Sequence, residues 1–212
     1  TNMANMFNKA TIFNQDIKDW NVSKVTDMQS MFQGLAGTKH PFNQDIGNWN
    51  VGQVKNMSSM FENCLFNKDI SNWNTINVGL GGVGTAGDMS SMFKGATNFN
   101  NGSNPLNNWN VSNVPNMSSM FEDATSFNQD ISGWERNAVA PALASTLATH
   151  CTNMSSMFKN ATAFNKYIGN WNVSGVTNMS SMFEGPAGGT AFNNGELAAH
   201  HNYPLSWDVR AV

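Results

Sequence analysis

Four aspartates recur in one local setting. Asp16, Asp45, Asp69 and Asp130 each precede an isoleucine, in Asn-Gln-Asp-Ile or Asn-Lys-Asp-Ile. Stacked on neighbouring copies of a repeat they would form a column of carboxylates ~5 Å apart, and such oxygen ligands suit calcium. Each turn would supply only one such ligand, and Tyr167 stands in its place in one copy. The simpler expectation is a turn carboxylate that accepts backbone N–H bonds. His200 and His201, with Glu196, have metal-ligand side chains but none of the spacing that metal motifs need. They read as a polar surface loop, so no metal or other cofactor is expected, with calcium as the one weak candidate. Cys64 falls in a column of small residues with Ala10, Ala96, Ala124 and Ala161, and Cys151 falls in a valine column. Both are predicted to be free, buried thiols. No nucleophile elbow, phosphate loop or Ser/His/Asp order is present, and serines such as Ser58, Ser59, Ser118 and Ser119 read as solvent-facing turn residues. The expectation is a protein that is not an enzyme.

These residues are positioned by a repeat that uses up nearly all the large apolar side chains. The 14 methionines, 14 phenylalanines and seven tryptophans fall in one frame: Met-x-x-Met-Phe, Phe-Asn, Ile or Leu, then Trp. The Met pairs run from Met3/Met6 to Met179/Met182, and the Trp column from Trp20 to Trp207. Cutting before each Met pair gives seven units, 1–25, 26–54, 55–86, 87–114, 115–151, 152–176 and 177–212. A stack has one continuous core, so residues 1–212 read as a single domain, a segment of a longer array.

Within a unit, Met, Met and Phe at i, i+3 and i+4 mark one face of a short helical turn. Asp27 or Asp88 can cap it, and Gly34, Gly95 or Gly185 can end it. Ile17-x-x-Trp20-x-Val22-x-x-Val25 follows the leucine-rich-repeat frame. Trp20 and Val22 alternate with polar residues, which predicts a strand. The expected fold is therefore a leucine-rich-repeat-like solenoid of seven coils, with one short parallel strand per coil forming a continuous sheet and helical turns on the opposite wall. The buried Asn of ordinary leucine-rich repeats is replaced by Val25, Val54, Val114 and Val176, and the Asn after each second Phe is expected to take over its task. The outward sheet face would carry Asn21, Ser23, Asn50, Asn110, Ser112, Asn172, Ser174, Asp208 and Arg210. This face is polar and poor in the Trp, Tyr and Arg that anchor tight interfaces. Of the larger side chains only Tyr167, Tyr203 and Arg210 could supplement it, so weak multivalent contact is expected.

Insertions enter at three places only: before the second Phe (36–41, 187–191), after Phe-Asn (101–105, 194–204) and after Trp (75–87, 135–150). All four histidines (His40, His150, His200 and His201) lie in or beside them. Residues 138–148 read as a short helix, and 79–87 as a flexible glycine-rich stretch. Most Asn-x-Ser/Thr sequons follow from the repeat itself. Asn101, inside an insertion, is the best candidate for glycosylation.

The run 117–134, Met-Ser-Ser-Met-Phe-Glu-Asp-Ala-Thr-Ser-Phe-Asn-Gln-Asp-Ile-Ser-Gly-Trp, resembles the BspA-type, mycoplasma-lipoprotein-like repeats of surface proteins. So does Trp171-Asn-Val-Ser-Gly-Val-Thr-Asn-Met179. The resemblance covers the chain outside the insertions. It implies a leucine-rich-repeat-like fold and adhesion or recognition at a microbial cell surface.

Composition agrees with a binding role and narrows the partners. Charged residues make up 12% of the chain and the net charge is −3, so it has no basic footprint for nucleic acid. No apolar run is long enough to span a bilayer. The expected function is non-enzymatic adhesion or protein and glycan recognition, extracellular or at the cell surface, through the loops and the polar face. The alternative is a structural segment that stacks end to end on other copies, or on further repeats of the same protein, into a filament or coat, because neither end carries a polar capping repeat.

Overall fold

Over the described residues each unit is built largely from three-residue turns, many of them with apolar side chains at their corners. This computed structural model describes residues 1–80, 88–134 and 151–195, together with Leu205 and Trp207. In unit two the amide of Met31 bonds the Met28 carbonyl at 3.2 Å, Trp49 bonds Ile46 at 3.1 Å, and Val54 bonds Val51 at 2.8 Å. In unit four Ala96 bonds Phe93 at 3.0 Å and Phe99 bonds Ala96 at 2.9 Å. The same bonds recur at equivalent positions elsewhere in the chain.

The expected leucine-rich-repeat-like solenoid, with a continuous parallel sheet and a helical wall, does not form. Among the described residues the only helical element is a three-residue 3-10 turn, Asn101–Ser103. The only strand-like pairings among the described residues are isolated bridges such as Asp27↔Asn56 and Asn116↔Asn153. The reasons are local. In Met-x-Ser-Met the second serine adopts a left-handed conformation (Ser30, φ 54; Ser59, φ 54; Ser119, φ 56), which a right-handed helix excludes. Asp27 and Asp88 accept the amides of Gln29 and Ser90, two residues on, so they close Asx turns rather than cap helices. At the expected strand, Asn21 Oδ1 captures the Ser23 amide at 3.1 Å and the hydroxyl at 2.7 Å. Side chains of this kind compete with the backbone's regular pairings, and the chain bends at Val22 instead of extending.

The alternation of right- and left-handed residues turns every second amide of the Met segment the same way. Met28, Ser30, Phe32 and Gly34 donate to the carbonyls of Asn56, Ser58, Met60 and Glu62, at 2.8–3.0 Å. The four equivalent amides of each unit do the same onto the unit that follows, at every junction from Met3→Asp27 to Asn160→Glu184. The Met-segment ladder is thus directional: its donors face the C-terminal neighbour and its acceptors the N-terminal one. Lys9, Asn63, Asp123 and Asn160 make the equivalent bond without glycine, whereas Gly34 is required by its own neighbours: an ideal Cβ there would lie 2.3 Å from the Asn63 carbonyl oxygen and 2.7 Å from the His40 amide nitrogen.

Side chains continue the register. The first-Phe column stacks at 5.6–5.7 Å between ring centroids from Phe7 to Phe183, and Trp73, Trp109, Trp134, Trp171 and Trp207 stack at 6.0–6.5 Å. Each indole N–H from Trp49 onward donates to the Ile or Leu carbonyl of the preceding unit, as in Trp109→Ile70 at 3.0 Å. The Asn after the second Phe does bind between units. Asn14, Asn43, Asn67, Asn100, Asn128 and Asn165 each accept the backbone amide of the next asparagine in the column, at 2.8–2.9 Å. The position after the first Phe carries a polar column in which Asn8 bonds Gln33, Gln33 bonds Glu62, Lys94 pairs with Glu122, and Lys159 pairs with Glu184.

Candidate functional site

The four aspartates are turn residues. Asp16, Asp45, Asp69 and Asp130 accept the amides of Lys18, Gly47, Ser71 and Ser132 at 2.9–3.0 Å. The Lys18 amide and ammonium hold the Asp16 carboxyl below its usual range. Burial pushes the Asp130 carboxyl up, but the Ser132 amide and the Asn107 side chain outweigh it and the net shift is downward. No group of three or more His, Cys, Asp or Glu among the described residues is placed to hold a metal. Glu196, His150, His200, His201, Tyr203, Asp208 and Arg210 lie outside the described residues, as do 81–87 and the expected helix at 138–148.

Asn101 has a different task from the one its sequon suggests. It is fully buried; its Oδ1 accepts the Ile70 amide at 2.9 Å and its Nδ2 donates to the Asn104 carbonyl at 2.9 Å. An amide nitrogen so engaged cannot accept a glycan in the folded chain. Asn194 repeats the arrangement on the Ile168 amide. The signal was present in the sequence as Phe-Asn-Asn-Gly, which occurs at 99–102 and again at 192–195.

The thiols of Cys64 and Cys151 are free. Cys64 is buried against the Phe42 carbonyl, 3.4 Å away, and burial pushes its thiol up to about 12. Cys151 is half-buried rather than buried as expected, and its thiol is pushed up to about 11 by burial. His40 is buried, with Nε2 2.9 Å from the Phe7 carbonyl and Nδ1 accepting the Phe42 amide. Burial lowers its pKa.

With no sheet, the polar residues expected on its face pair within turns instead. Asn50 Oδ1 accepts the Gly52 amide, Asn110 Oδ1 accepts the Ser112 amide and hydroxyl, and Asn172 Oδ1 accepts the Ser174 amide. Three of these residues, Ser112, Asn172 and Ser174, nevertheless meet at one place. They line a small cleft, partly open to solvent, with Trp134, Trp171, Met117, Met154 and Cys151. In units four and six the Val111–Val114 and Val173–Val176 turns occupy this level. In unit five the stretch 135–150 follows Trp134 instead and has no matching Val-x-x-Val.

The indole and thioether groups that line the cleft are almost wholly buried beside its amide and hydroxyl groups. Both indole N–H groups are already committed, to Leu106 and Ile131, so the rings supply apolar contact only. Asn172 and Ser174 are exposed, and their side chains keep donors turned toward solvent. Among the described lining residues none is a carboxylate or an imidazole, and burial holds the Cys151 thiol in its protonated form.

Three overlapping stretches, 1–81, 38–145 and 143–212, match the family described as "Mycoplasma protein of unknown function, DUF285". Together they cover the whole chain, which belongs to that family. No curated protein and no solved structure matches the chain.

Proposed function

We propose that this member of the DUF285 repeat family is a non-catalytic recognition module of a microbial cell surface. The observation that carries the reading is the cleft between units four and six. There the exposed side chains of Asn172 and Ser174 lie beside Trp134 and Trp171 in a cleft that opens to solvent. That exposed polar rim suits a sugar or a short polar loop of a partner protein, whose polar groups would be met by Asn172 and Ser174. The resemblance to BspA-type surface repeats supports the extracellular setting. No helix among the described residues is long and apolar enough to cross a membrane, so attachment to a surface would come from elsewhere.

The test has two arms. Glycan and peptide arrays should return binders whose signal is lost in Ser174→Arg, which fills the cleft, and reduced in Asn172→Ala. Binding unaffected by both substitutions would remove the cleft from the reading. Antibody labelling of intact cells should find the chain exposed, and purely internal protein would refute the surface assignment.

A further inference from the structure

We infer that Asn101-Gly102 and Asn194-Gly195 are latent self-modification sites: the folded stack holds them inert, and opening of their coil lets them deamidate and bars the chain from refolding. They are the chain's two Asn-Gly dipeptides. The turn itself selects this pair. Asn101 and Gly102 stand at φ 49 and 57, and Asn194 and Gly195 at φ 49 and 79. Two consecutive left-handed residues favour Asn-Gly. The same pair is the chemically labile one in an open chain. The Gly102 amide nitrogen, its proton lost to solvent, attacks Asn101 Cγ; the Cγ–Nδ2 bond breaks and Nδ2 leaves with a proton as ammonia. Water then opens the five-membered succinimide at either carbonyl, giving aspartate or isoaspartate. Glycine has no side chain to shield the attacking nitrogen, and water is the only co-reactant.

The stack blocks each part of this reaction, in the same way at both sites. The attacking nitrogen is held: Gly102 donates its amide hydrogen to Asn67 Oδ1 at 3.1 Å, and Gly195 donates to Asn165 Oδ1 at 3.0 Å. The target carbon is held too. Asn101 Oδ1 accepts the Ile70 amide and Asn194 Oδ1 the Ile168 amide, both at 2.9 Å, which ties each side chain to the preceding unit and stops Cγ from swinging onto the next backbone nitrogen. Both side chains are buried, which keeps out the water that must open the ring. The holding asparagine is in each case the one after the second Phe of the preceding unit. It also takes the amide of the residue before the pair, Asn100 or Asn193, at 2.8 Å. Neither product fits the closed turn. An aspartate at position 101 would set a carboxylate oxygen, in place of Nδ2, against the Asn104 carbonyl 2.9 Å away, and an unpaired buried charge is costly. Isoaspartate lengthens the backbone by a carbon inside the turn that the Ser103→Asn100 and Asn104→Asn101 bonds close. The reaction is thus confined to open chains, and refolding does not undo it. The inference does not depend on the cleft.

Peptide mapping of the wild-type chain, aged in native buffer and in urea at the same mildly alkaline pH, tests this without any variant. In urea the two Asn-Gly sites should deamidate ahead of every other asparagine. In native buffer both should be slower by a factor of about 100 or more, which is an opening cost of about 2.8 kcal/mol or more. After dilution from urea, chains carrying isoaspartate at either site should be missing from the refolded fraction. Asn67→Ala frees the Gly102 amide and should speed native deamidation at Asn101, while Asn194 in the same molecule keeps its rate and reports that the rest of the stack is closed. Asn165→Ala should do the converse. A variant that unfolds outright should bring both sites to their urea rates. Equal rates in native buffer and in urea for the wild type overturn the inference. So does recovery of modified chains with the wild-type melt, or an Asn67→Ala protein in which neither site is faster.

Discussion

Replacing Asn101 separates the contributions that hold an insertion to the stack. Asn101→Ala strands the buried Ile70 amide, removes the Asn104 carbonyl's donor, and places alanine at φ 49. An unsatisfied buried donor costs roughly 1–3 kcal/mol, and a lost partly exposed hydrogen bond about 1 kcal/mol. A left-handed conformation costs a non-glycine residue without a local hydrogen bond about 1 kcal/mol or more. The total is about 4 kcal/mol for Asn101→Ala. Asn101→Gly should recover about 1 kcal/mol of it by removing the backbone strain. Urea unfolding followed by tryptophan fluorescence would show the midpoint falling in that order, with the slope unchanged, and hydrogen exchange would show lost protection at Ile70. A loss under about 1 kcal/mol with Ile70 still protected would refute the reasoning. So would occupancy of Asn101 by a glycan in native protein from a glycosylating host.

Three further outcomes follow from single sites. His40 is held neutral by burial, so its folded pKa lies below the ordinary 6.5. The unfolded chain then binds the proton more readily, and this contribution to stability is complete above pH 6.5 and lost as pH falls through the depressed value. The melting temperature should begin to drop as pH falls below about 6.5, and His40→Gln should abolish that step. At about pH 8, near the ordinary thiol pKa, a thiol reagent should label native protein slowly at half-buried Cys151 and more slowly still at Cys64, with both reacting fast in denaturant; rapid native labelling of Cys64 would contradict its packing. Gly34→Ala should destabilise by roughly 2–4 kcal/mol, measured by denaturant midpoint, because the new methyl meets backbone atoms that cannot rotate away.

The columns of Met, Phe, Trp and Asn were readable from spacing alone, because a repeat that stacks in register must place like residues over like. The backbone between them was not. Met-x-x-Met at i and i+3 is the spacing of a helical face, and equally of a chain of three-residue turns. What separates the two is the left-handed serine between the methionines, and serine carries no compositional sign of that conformation as glycine would. Trp20-Asn21-Val22-Ser23 likewise alternates as a strand does, while Asn21 in fact binds Ser23 and bends the chain. The candidate cleft was half legible. Ser112, Asn172 and Ser174 were visible as polar exceptions, but their meeting beside Trp134 and Trp171 joins residues of three successive units, which no motif within one unit displays.

The direction of the amide ladder also bears on synthesis at the ribosome. Each donor row belongs to the earlier unit and each acceptor row to the later one. A nascent chain therefore always carries a completed row of amides waiting for carbonyls that have yet to leave the exit tunnel. At about 5–20 residues per second, a unit of some 25–37 residues arrives every few seconds, long compared with the closing of a turn. The stack can therefore lengthen one unit at a time from its N-terminal end, and its newest exposed edge is of the donor kind at every stage.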